Sequence, residues 1–392
     1  MKDFHYLIIG GGMTADAAVK GIRSLDKKRS IAIISNDVHP PYSRPPLTKG
    51  LWKGDEESTI WKKTEEHDVT IILSRNATQI NPQNKTVKDD LGEEYSYSKL
   101  LLATGGVVNQ LPFNAHGIIY YRTYDDYKTL REKTKVADHI IVVGGGFIGS
   151  EIAASLAMND KKVTMIFPES GVGARNFPKV LSNFVTEYYK SKGVTIYAND
   201  SVADIENDGD KFWVKTKNNH RLHADTVVAG LGIKPNVELA EALGLITKNG
   251  IEVNEFLQTS HEDIYTAGDV ANFDSPHLGK RIRVEHENNA LTMGEMAGKN
   301  MAGARESYNH LPFFYSDLFD LGYEAVGELD SRLEIIEDWK DPFREGVVYY
   351  LEEGRVRGVL LWNTWGQVDH ARELIRTKDQ FTAKKLKGLL PK

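Results

Sequence analysis

The residues with the clearest chemical signature in this sequence are three glycines and a carboxylate. Gly144, Gly146 and Gly149 form a G-x-G-x-x-G run, and Glu169 stands beyond it. Glycines at that spacing let a backbone approach a pyrophosphate closely, and a helix N-terminus behind them supplies oriented N–H groups and positive potential. An acid at the end of the following strand accepts both hydroxyls of an adenosine ribose and repels a 2′-phosphate, so this pattern favours NAD over NADP. A second run, Gly10-Gly11-Gly12-Met13-Thr14-Ala15, repeats the signature as G-x-G-x-x-A, with Asn36 and Asp37 where its acid would stand. Two such runs imply two dinucleotides, and the usual pairing is a flavin with a nicotinamide. A duplicated domain with one inactive site is the alternative.

These residues work only if strands and helices hold them, and the flanking patterns supply both. Ile140–Val143 is a short apolar, partly β-branched run that reads as a buried strand. Phe147 and Ile148 open a helix that continues to Asn159, and Val163–Phe167 is the next strand. In the first unit, Phe4–Ile9 is a strand, Ala15–Leu25 a helix and Ile31–Ser35 the following strand. Lys99–Gly106 and Val227–Asn236 read as buried strands ending in glycine turns. Asp263–Asn272 reads as one further strand with Gly268-Asp269 at its end, where ligands sit in an open α/β sheet. Tyr120–Lys133 and Pro178–Lys192 read as helices. The chain therefore leaves the first domain, builds the second and returns to the first.

A chain of 392 residues is too long for one ordinary core. At 41% hydrophobic and 27% charged it has the composition of a globular protein. A net charge of −6 argues against nucleic acid, which demands a concentrated basic face. Lys384, Lys385 and Lys387 read as a solvated tail. No apolar run reaches membrane-spanning length, and the first strand begins within a few residues of Met1, so the expected location is cytoplasmic. The sequence has no cysteine, which removes disulfides, thiolate metal sites, iron–sulfur clusters and redox-active thiol pairs. Electron transfer would need a bound organic cofactor.

Other candidates are weaker. The segment HPPYSRPPLTKGLW, His39–Trp52, is stiffened by four prolines and presents Arg44 and Lys49, either toward a ligand or as solvated cations. Leu47–Trp52 is a candidate helix start. His286 precedes a helix rich in Ala, Met and Asn whose dipole would favour negative charge at its N-terminus. His220 and His223 flank a hairpin without a third ligand, so no metal site is expected. From Leu311 the pattern changes to short strands at Tyr323–Leu329, Arg332–Trp339, Val347–Glu352 and Arg355–Leu361, closed by a helix at Val368–Ile375.

PPYSRPPLTKGLW, ATGG, GGGFIGSE, FPE, TAGDVANF, VEHENNA, FYSDLFDLGYEAVG and GVVYYLEEGRVRGVLLWN together resemble the apoptosis-inducing-factor branch of the FAD-dependent pyridine nucleotide oxidoreductases, close to the oxygenase-coupled ferredoxin reductases. The likeness runs from Phe4 to about Ile375. It implies an α/β fold of two Rossmann-like three-layer nucleotide-binding domains, for FAD and NAD, plus a C-terminal α+β domain. The FAD domain would be discontinuous, 1–115 and 248–308, with the NAD domain at 116–247 and the third at 309–392. On the FAD side it implies Gly10, Gly12, Met13, Thr14, Ala15, Asn36, Asp37, Arg44, Lys49, Thr78, Thr104, Arg122, Asp269, Glu285, His286 and Tyr315. On the NAD side it implies Gly144, Gly146, Phe147, Ile148, Gly149, Glu151, Glu169, Gly232, Glu324 and Asn363, and Glu285 matches a contact there as well. Lys49 and Glu151 match a pair beside the flavin, a cation near N5 and the carboxylate that orients it. Three departures stand out. Asn36 replaces the acid for the FAD ribose, Tyr315 stands where Trp is frequent, and the long insertion of the animal proteins near Asp338–Phe343 is absent.

The expected activity is hydride transfer from NADH to FAD. Electrons then leave to an external acceptor: a ferredoxin or rubredoxin, a quinone, or oxygen. Without cysteines, disulfide-reductase, peroxidase and sulfide:quinone-reductase chemistry is not expected. The alternative is a slow NADH-sensing flavoprotein whose charge-transfer complex controls dimerisation or partner binding. No nucleic acid or membrane insertion is expected, and a homodimer is left open.

Overall fold

The computed structural model describes residues 1–377 and 379–391. Its contacts divide the chain into two compact units: Met1–Ser43, Ser58–Val107 and Lys234–Pro312 form one, and Arg44–Glu57, Val108–Ile233 and Phe313–Lys392 the other. Each is built around strands that read as apolar in the sequence.

In the first unit the strands Lys2–Ile9, Ile31–Ile34, Thr70–Ile72, Glu94–Leu102 and Ile264–Thr266 pair in parallel. The hairpin Ala77–Asn81 and Thr86–Asp89 extends the sheet antiparallel to Glu94–Leu102. Strand alternation sorts the apolar residues onto two faces. Tyr6, Ile8, Ile31, Ile33 and Leu101 join one core, whereas Leu7, Ile9, Ala32, Ile34, Leu100 and Leu102 join the other. Because both faces are covered, the central stretches Tyr6–Ile9, Ile31–Ile34 and Leu100–Leu102 are unbroken apolar runs, the mark of a buried parallel sheet. The run expected as one strand at Asp263–Asn272 is broken in two. Gly268, at φ +81°, turns the chain through a short 3-10 segment, Gly268–Val270, before the strand Ala271–Ser275.

The first core is closed by two helices, Met13–Leu25 and Glu287–Met301. Gly21, Gly294 and Gly298 let them meet at backbone distance. A Cβ at Gly298 would lie 2.1 Å from the Ala18 carbonyl oxygen, and one at Gly21 2.1 Å from that of Glu295. Arg23, on the first helix, is a backbone clamp. Its guanidinium donates to the carbonyls of Asp26, Arg29, His67 and Asp68.

In the second unit five strands, Thr195–Tyr197, Lys162–Ile166, His139–Val143, Thr226–Ala229 and Ile119–Tyr120, lie in that order, all parallel. The helix Phe147–Met158 follows the glycine run, and Lys179–Ser191 covers the neighbouring crossover. Helix Tyr124–Thr134 begins on a capping box, with Thr123 and Asp126 satisfying each other's backbone N–H. A three-stranded antiparallel meander, Val202–Asp208, Lys211–Thr216 and Arg221–Ala224, is added to this unit. The same unit holds the five-stranded antiparallel sheet of the C-terminal region. Its order is Phe313–Leu318, Leu321–Gly327, Arg355–Trp362, Glu345–Glu352 and Glu334–Asp341. Phe313–Leu318 is a strand beyond the four that the sequence pattern implies for this region. Leu47–Trp52 is not a regular helix but two short 3-10 segments, Pro45–Thr48 and Gly50–Trp52, because Lys49 between them leaves helical backbone at φ −130° and ψ −95°. No helix among the described residues is long and apolar enough to cross a membrane.

Gly298→Ala should lower stability by about 1–3 kcal/mol, since the added methyl group runs into a backbone carbonyl that cannot rotate away. Denaturant unfolding measures this, and an unchanged midpoint would mean that the helix pair relaxes freely.

Candidate functional site: two nucleotide turns and a buried Lys–Glu pair

Both glycine runs fold into the strand–turn–helix geometry that the sequence implies. In the first, Gly10 sits at φ +110°, and a Cβ would lie 2.1 Å from the Ala103 carbonyl oxygen. In the second, Gly144 sits at φ +114°, and Gly149 packs so closely that its Cβ would lie 2.0 Å from the Gly144 carbonyl oxygen. These glycines are demanded by the fold. The middle glycines are different. Gly12 (φ −91°) and Gly146 (φ −80°) are helix N-caps with ordinary extended backbone, and a Cβ at either would meet nothing within 4 Å. No neighbour in the polypeptide requires glycine there, and the open backbone at each helix N-terminus leaves room for a ligand to approach closely. The same opening occurs in both units, and both fit a dinucleotide pyrophosphate.

Around the first turn the unit gathers several expected residues. Thr14 is buried against Gly268, whose Cβ would lie 2.3 Å from the Thr14 hydroxyl oxygen. Met13 and Ala15 begin the helix beside it. Arg283 donates to the Asp269 carbonyl at 2.9 Å and pairs with Glu285 at 2.6 Å. His286 is the N-cap of Glu287–Met301. Burial of its ring drives its pKa down from 6.5 to about 4, with Asp269 pulling weakly the other way. The imidazole is therefore neutral near pH 7.

Other expected FAD residues stand in different settings. Asn36 is exposed at the end of strand Ile31–Ile34. Asp37 spends its carboxylate on the following loop, accepting from the His39 N–H at 3.0 Å and the Tyr42 hydroxyl at 3.1 Å. Thr78 lies on the hairpin, its hydroxyl donating to the carbonyls of Lys88 and Asp89. Thr104 and Asn236 exchange side chain-to-carbonyl bonds at 2.7 and 3.0 Å, which fastens the chain where it returns to this unit. Arg44, Lys49, Arg122 and Tyr315 belong to the second unit. Arg44 caps the first 3-10 segment, and the Arg122 N–H donates to Asp126.

In the second unit, Glu151 sits one turn into the helix behind Gly146 and is 4% exposed. Its carboxylate pairs with Lys49 Nζ at 2.7 Å and accepts from the hydroxyls of Thr48 at 2.5 Å and Ser316 at 2.6 Å. Lys49 Nζ lies 5.1 Å from the centre of the Tyr315 ring. The segment carrying Lys49 is fastened to the same helix. Ser155 donates to the Thr48 carbonyl and Asn159 to that of Trp52, while Tyr121 and Trp52 both donate to the Leu47 carbonyl. Lys49 and Glu151, distant in sequence, are thus one buried ion pair. Thr48, Ser155 and Ser316 were missed, because a lone hydroxyl carries no motif.

Phe147 and Ile148 are partly exposed at the start of the helix, and Phe147 meets the edge of Phe314 at 5.2 Å. Glu169 stands beyond strand Lys162–Ile166, half-buried and paired with Arg175. Gly232 takes φ +76°. Glu324 accepts from the Gly366 N–H at 3.1 Å, and burial raises its carboxyl pKa. Asn363, left-handed at φ +45°, is committed to the fold, bonding the Gly322 N–H and the Arg344 carbonyl. Among the described residues no cluster of His, Asp or Glu suits a metal ion.

Two strand–glycine–helix units, each open at its middle glycine, describe a protein that carries two dinucleotides. Residues 4–294 match the model of the pyridine nucleotide-disulphide oxidoreductases, and 297–341 with 335–377 match that of the C-terminal domain of apoptosis-inducing factor. The chain is 35% identical to apoptosis-inducing factor 1, mitochondrial, of Dictyostelium discoideum, over 96% of this chain and 79% of that one. It is 32% identical to monodehydroascorbate reductase of Pisum sativum, over 92% and 91%. A ferredoxin reductase from Rhodopseudomonas palustris superposes with a TM-score of 0.89 at 27% identity, over 97% of this chain and 96% of that one. The protein belongs to the pyridine nucleotide-disulphide oxidoreductase family, in its apoptosis-inducing-factor-like branch. It is an FAD-dependent oxidoreductase that uses NAD(H), and it has no cysteine for the disulphide chemistry of the family's name.

Gly12→Ala and Gly146→Ala should leave the unfolding midpoint nearly unchanged and each weaken one ligand roughly tenfold or more. FAD content of the purified protein reads the first and NADH titration the second. A loss of stability with full binding would contradict the assignment. The neutral state of His286 sets a pH dependence as well. Its folded pKa, about 4, lies below the unfolded 6.5, so its contribution to stability is complete above about pH 6.5 and is lost as pH falls toward 4. His286→Gln should flatten the stability–pH curve in that window, and an unchanged curve would reject the burial argument.

Proposed function

We propose that this protein is an NADH-dependent flavoprotein reductase that passes electrons to an external acceptor. FAD is held by the Gly10–Ala15 turn with Asp269 and His286, and NADH by the Gly144–Gly149 turn with Glu169. Bound FAD would supply the redox chemistry, namely acceptance of a hydride from NADH, with release of NAD⁺, and delivery of the two electrons to the acceptor.

The single observation that carries this reading is the Lys49–Glu151 pair. A buried lysine held by a buried carboxylate stabilises the fold weakly at best, because desolvating both groups offsets their attraction. Its retention makes sense if the cation serves a ligand on which negative charge develops. Lys49 then acts as the electrostatic partner of the flavin and Glu151 fixes where its ammonium stands. Phe147, partly exposed at the mouth of the NAD turn, is the stacking surface for the nicotinamide. No acid–base group is required for hydride transfer, which depends on approach and alignment. The remaining assignments on both cofactors, and the domain limits 1–115 with 248–308, 116–247 and 309–392, belong to the same proposal. Asn36, exposed where Asp37 is already bonded, is the better candidate for the FAD ribose.

For the acceptor, the likeness to a ferredoxin reductase supports a small redox protein. The likeness to a monodehydroascorbate reductase supports a small organic radical instead. The deciding experiment is anaerobic NADH titration followed by a panel of ferredoxin, rubredoxin, quinone, monodehydroascorbate and oxygen. NADH should bleach the flavin with two electrons per FAD, and one acceptor should restore the colour rapidly. Colourless protein that takes up no FAD would end the proposal, and a long-lived reduced state under every acceptor would favour an NADH sensor. Glu169→Ala should reduce the preference for NADH over NADPH roughly tenfold, as the repelling and ribose-binding carboxylate is lost. An unchanged ratio of kcat/KM values would remove Glu169 from the site.

A further inference from the structure

The two oxygens of Glu151 are served from different parts of the sequence. Oε2 takes both Lys49 and Thr48, which are neighbours, whereas among the described residues Oε1 takes Ser316. Ser316 is fully buried, on the edge strand Phe313–Leu318 of the C-terminal sheet. The residues beside it also meet the pair or its helix. Tyr315 lies over Lys49 at 5.1 Å, and Phe314 packs against Phe147 at 5.2 Å. The terminal torsion of a glutamate is broad and nearly free, so a carboxylate anchored at one oxygen swivels about that anchor. A second donor on the other oxygen stops the rotation.

We propose that Ser316 is a positioning residue for flavin reduction: by holding Oε1 of Glu151 it fixes the carboxylate plane, and through it the place of the Lys49 ammonium. This rests on the reading that Lys49 and Glu151 serve the flavin. Without the Ser316 hydroxyl, Oε1 is left buried and without that bond, and the carboxylate turns toward other donors. Lys49 then follows it on a flexible four-carbon stem. The cost falls on the reduced flavin, whose charge loses a well-placed cation.

The test uses the FAD-loaded full chain, with the flavin midpoint potential as its main readout and the rate of anaerobic reduction by NADH as its second. Ser316→Ala should lower the potential and slow reduction roughly tenfold, the scale of one lost hydrogen bond to a charged group. Ser316→Thr, which keeps the hydroxyl, should restore both. In a Glu151→Ala background Ser316→Ala should change nothing further, because its route of action is gone. Tyr323, paired with Ser316 across the neighbouring strand, provides a control for packing alone. Tyr323→Phe should leave the potential in place.

If Ser316→Ala proves too unstable to hold FAD, Ser316→Cys keeps the volume with a weaker donor and should shift the potential in the same direction. The inference is overturned if Lys49→Met and Glu151→Ala lower the potential while Ser316→Ala and Ser316→Cys do not. It is equally overturned if the Ser316 effect persists in full without Glu151. Should Lys49→Met and Glu151→Ala themselves leave the potential unmoved, the reading of the pair fails first and the inference falls with it.

Discussion

A buried carboxylate must be satisfied, and Glu151 shows how much structure that requirement commits. Taking the ion out of water costs several kcal/mol unless donors replace the solvent. The donors come from the proline-stiffened segment through Thr48 and Lys49 and from the C-terminal sheet through Ser316. The helix behind Gly146 carries the acid, and its Ser155 and Asn159 hold the lysine-bearing segment by its carbonyls. One charge thereby fastens a loop, a helix and a sheet into one arrangement. The rigidity of His39–Trp52 suits this role, since a segment with few conformations loses little entropy when it is pinned.

The nucleotide turns follow a different logic. Gly10, Gly144 and Gly149 answer to the polypeptide, through left-handed backbone or through contact with a neighbouring carbonyl. Gly12 and Gly146 have no such neighbour and leave the backbone open at the helix N-terminus. The two roles are interleaved within a few residues, so the motif looks uniform in the sequence while its members are held in place by separate forces. The helix pair of the first unit adds a third kind, glycines that exist to bring two backbones together.

Much of the fold was legible because its strands are buried on both faces and read as unbroken apolar runs. The glycine turns and helices between them were legible for the same reason, since their periodicity is local. The elements that were missed are those whose cause is not local. Phe313–Leu318 is a strand because Leu321–Gly327 pairs with it, and its FFYSDL sequence alternates too weakly to announce that. The break at Gly268 depends on the close approach of Thr14 from another part of the chain. At the candidate site, Lys49 and Glu151 were reached by resemblance. The hydroxyls that bind Glu151 were invisible, because a serine or threonine gains its role only from what the fold sets beside it. Asp37 was singled out by its position, and the structure adds that its carboxylate accepts from the His39 N–H and the Tyr42 hydroxyl.

The bond between Ser316 and Glu151 spans 165 residues of chain. On a ribosome adding about 5–20 residues per second, the serine emerges roughly 8–33 s after the acid it will hold. During that interval the nascent parallel sheet of the second unit and the helix behind Gly146 can form around a glutamate still lacking one of its donors. The hydrogen bond that completes the setting of Glu151 therefore waits on the C-terminal sheet, and a chain truncated before Phe313 would carry both glycine turns and the Lys49–Glu151 pair with Oε1 lacking its Ser316 donor.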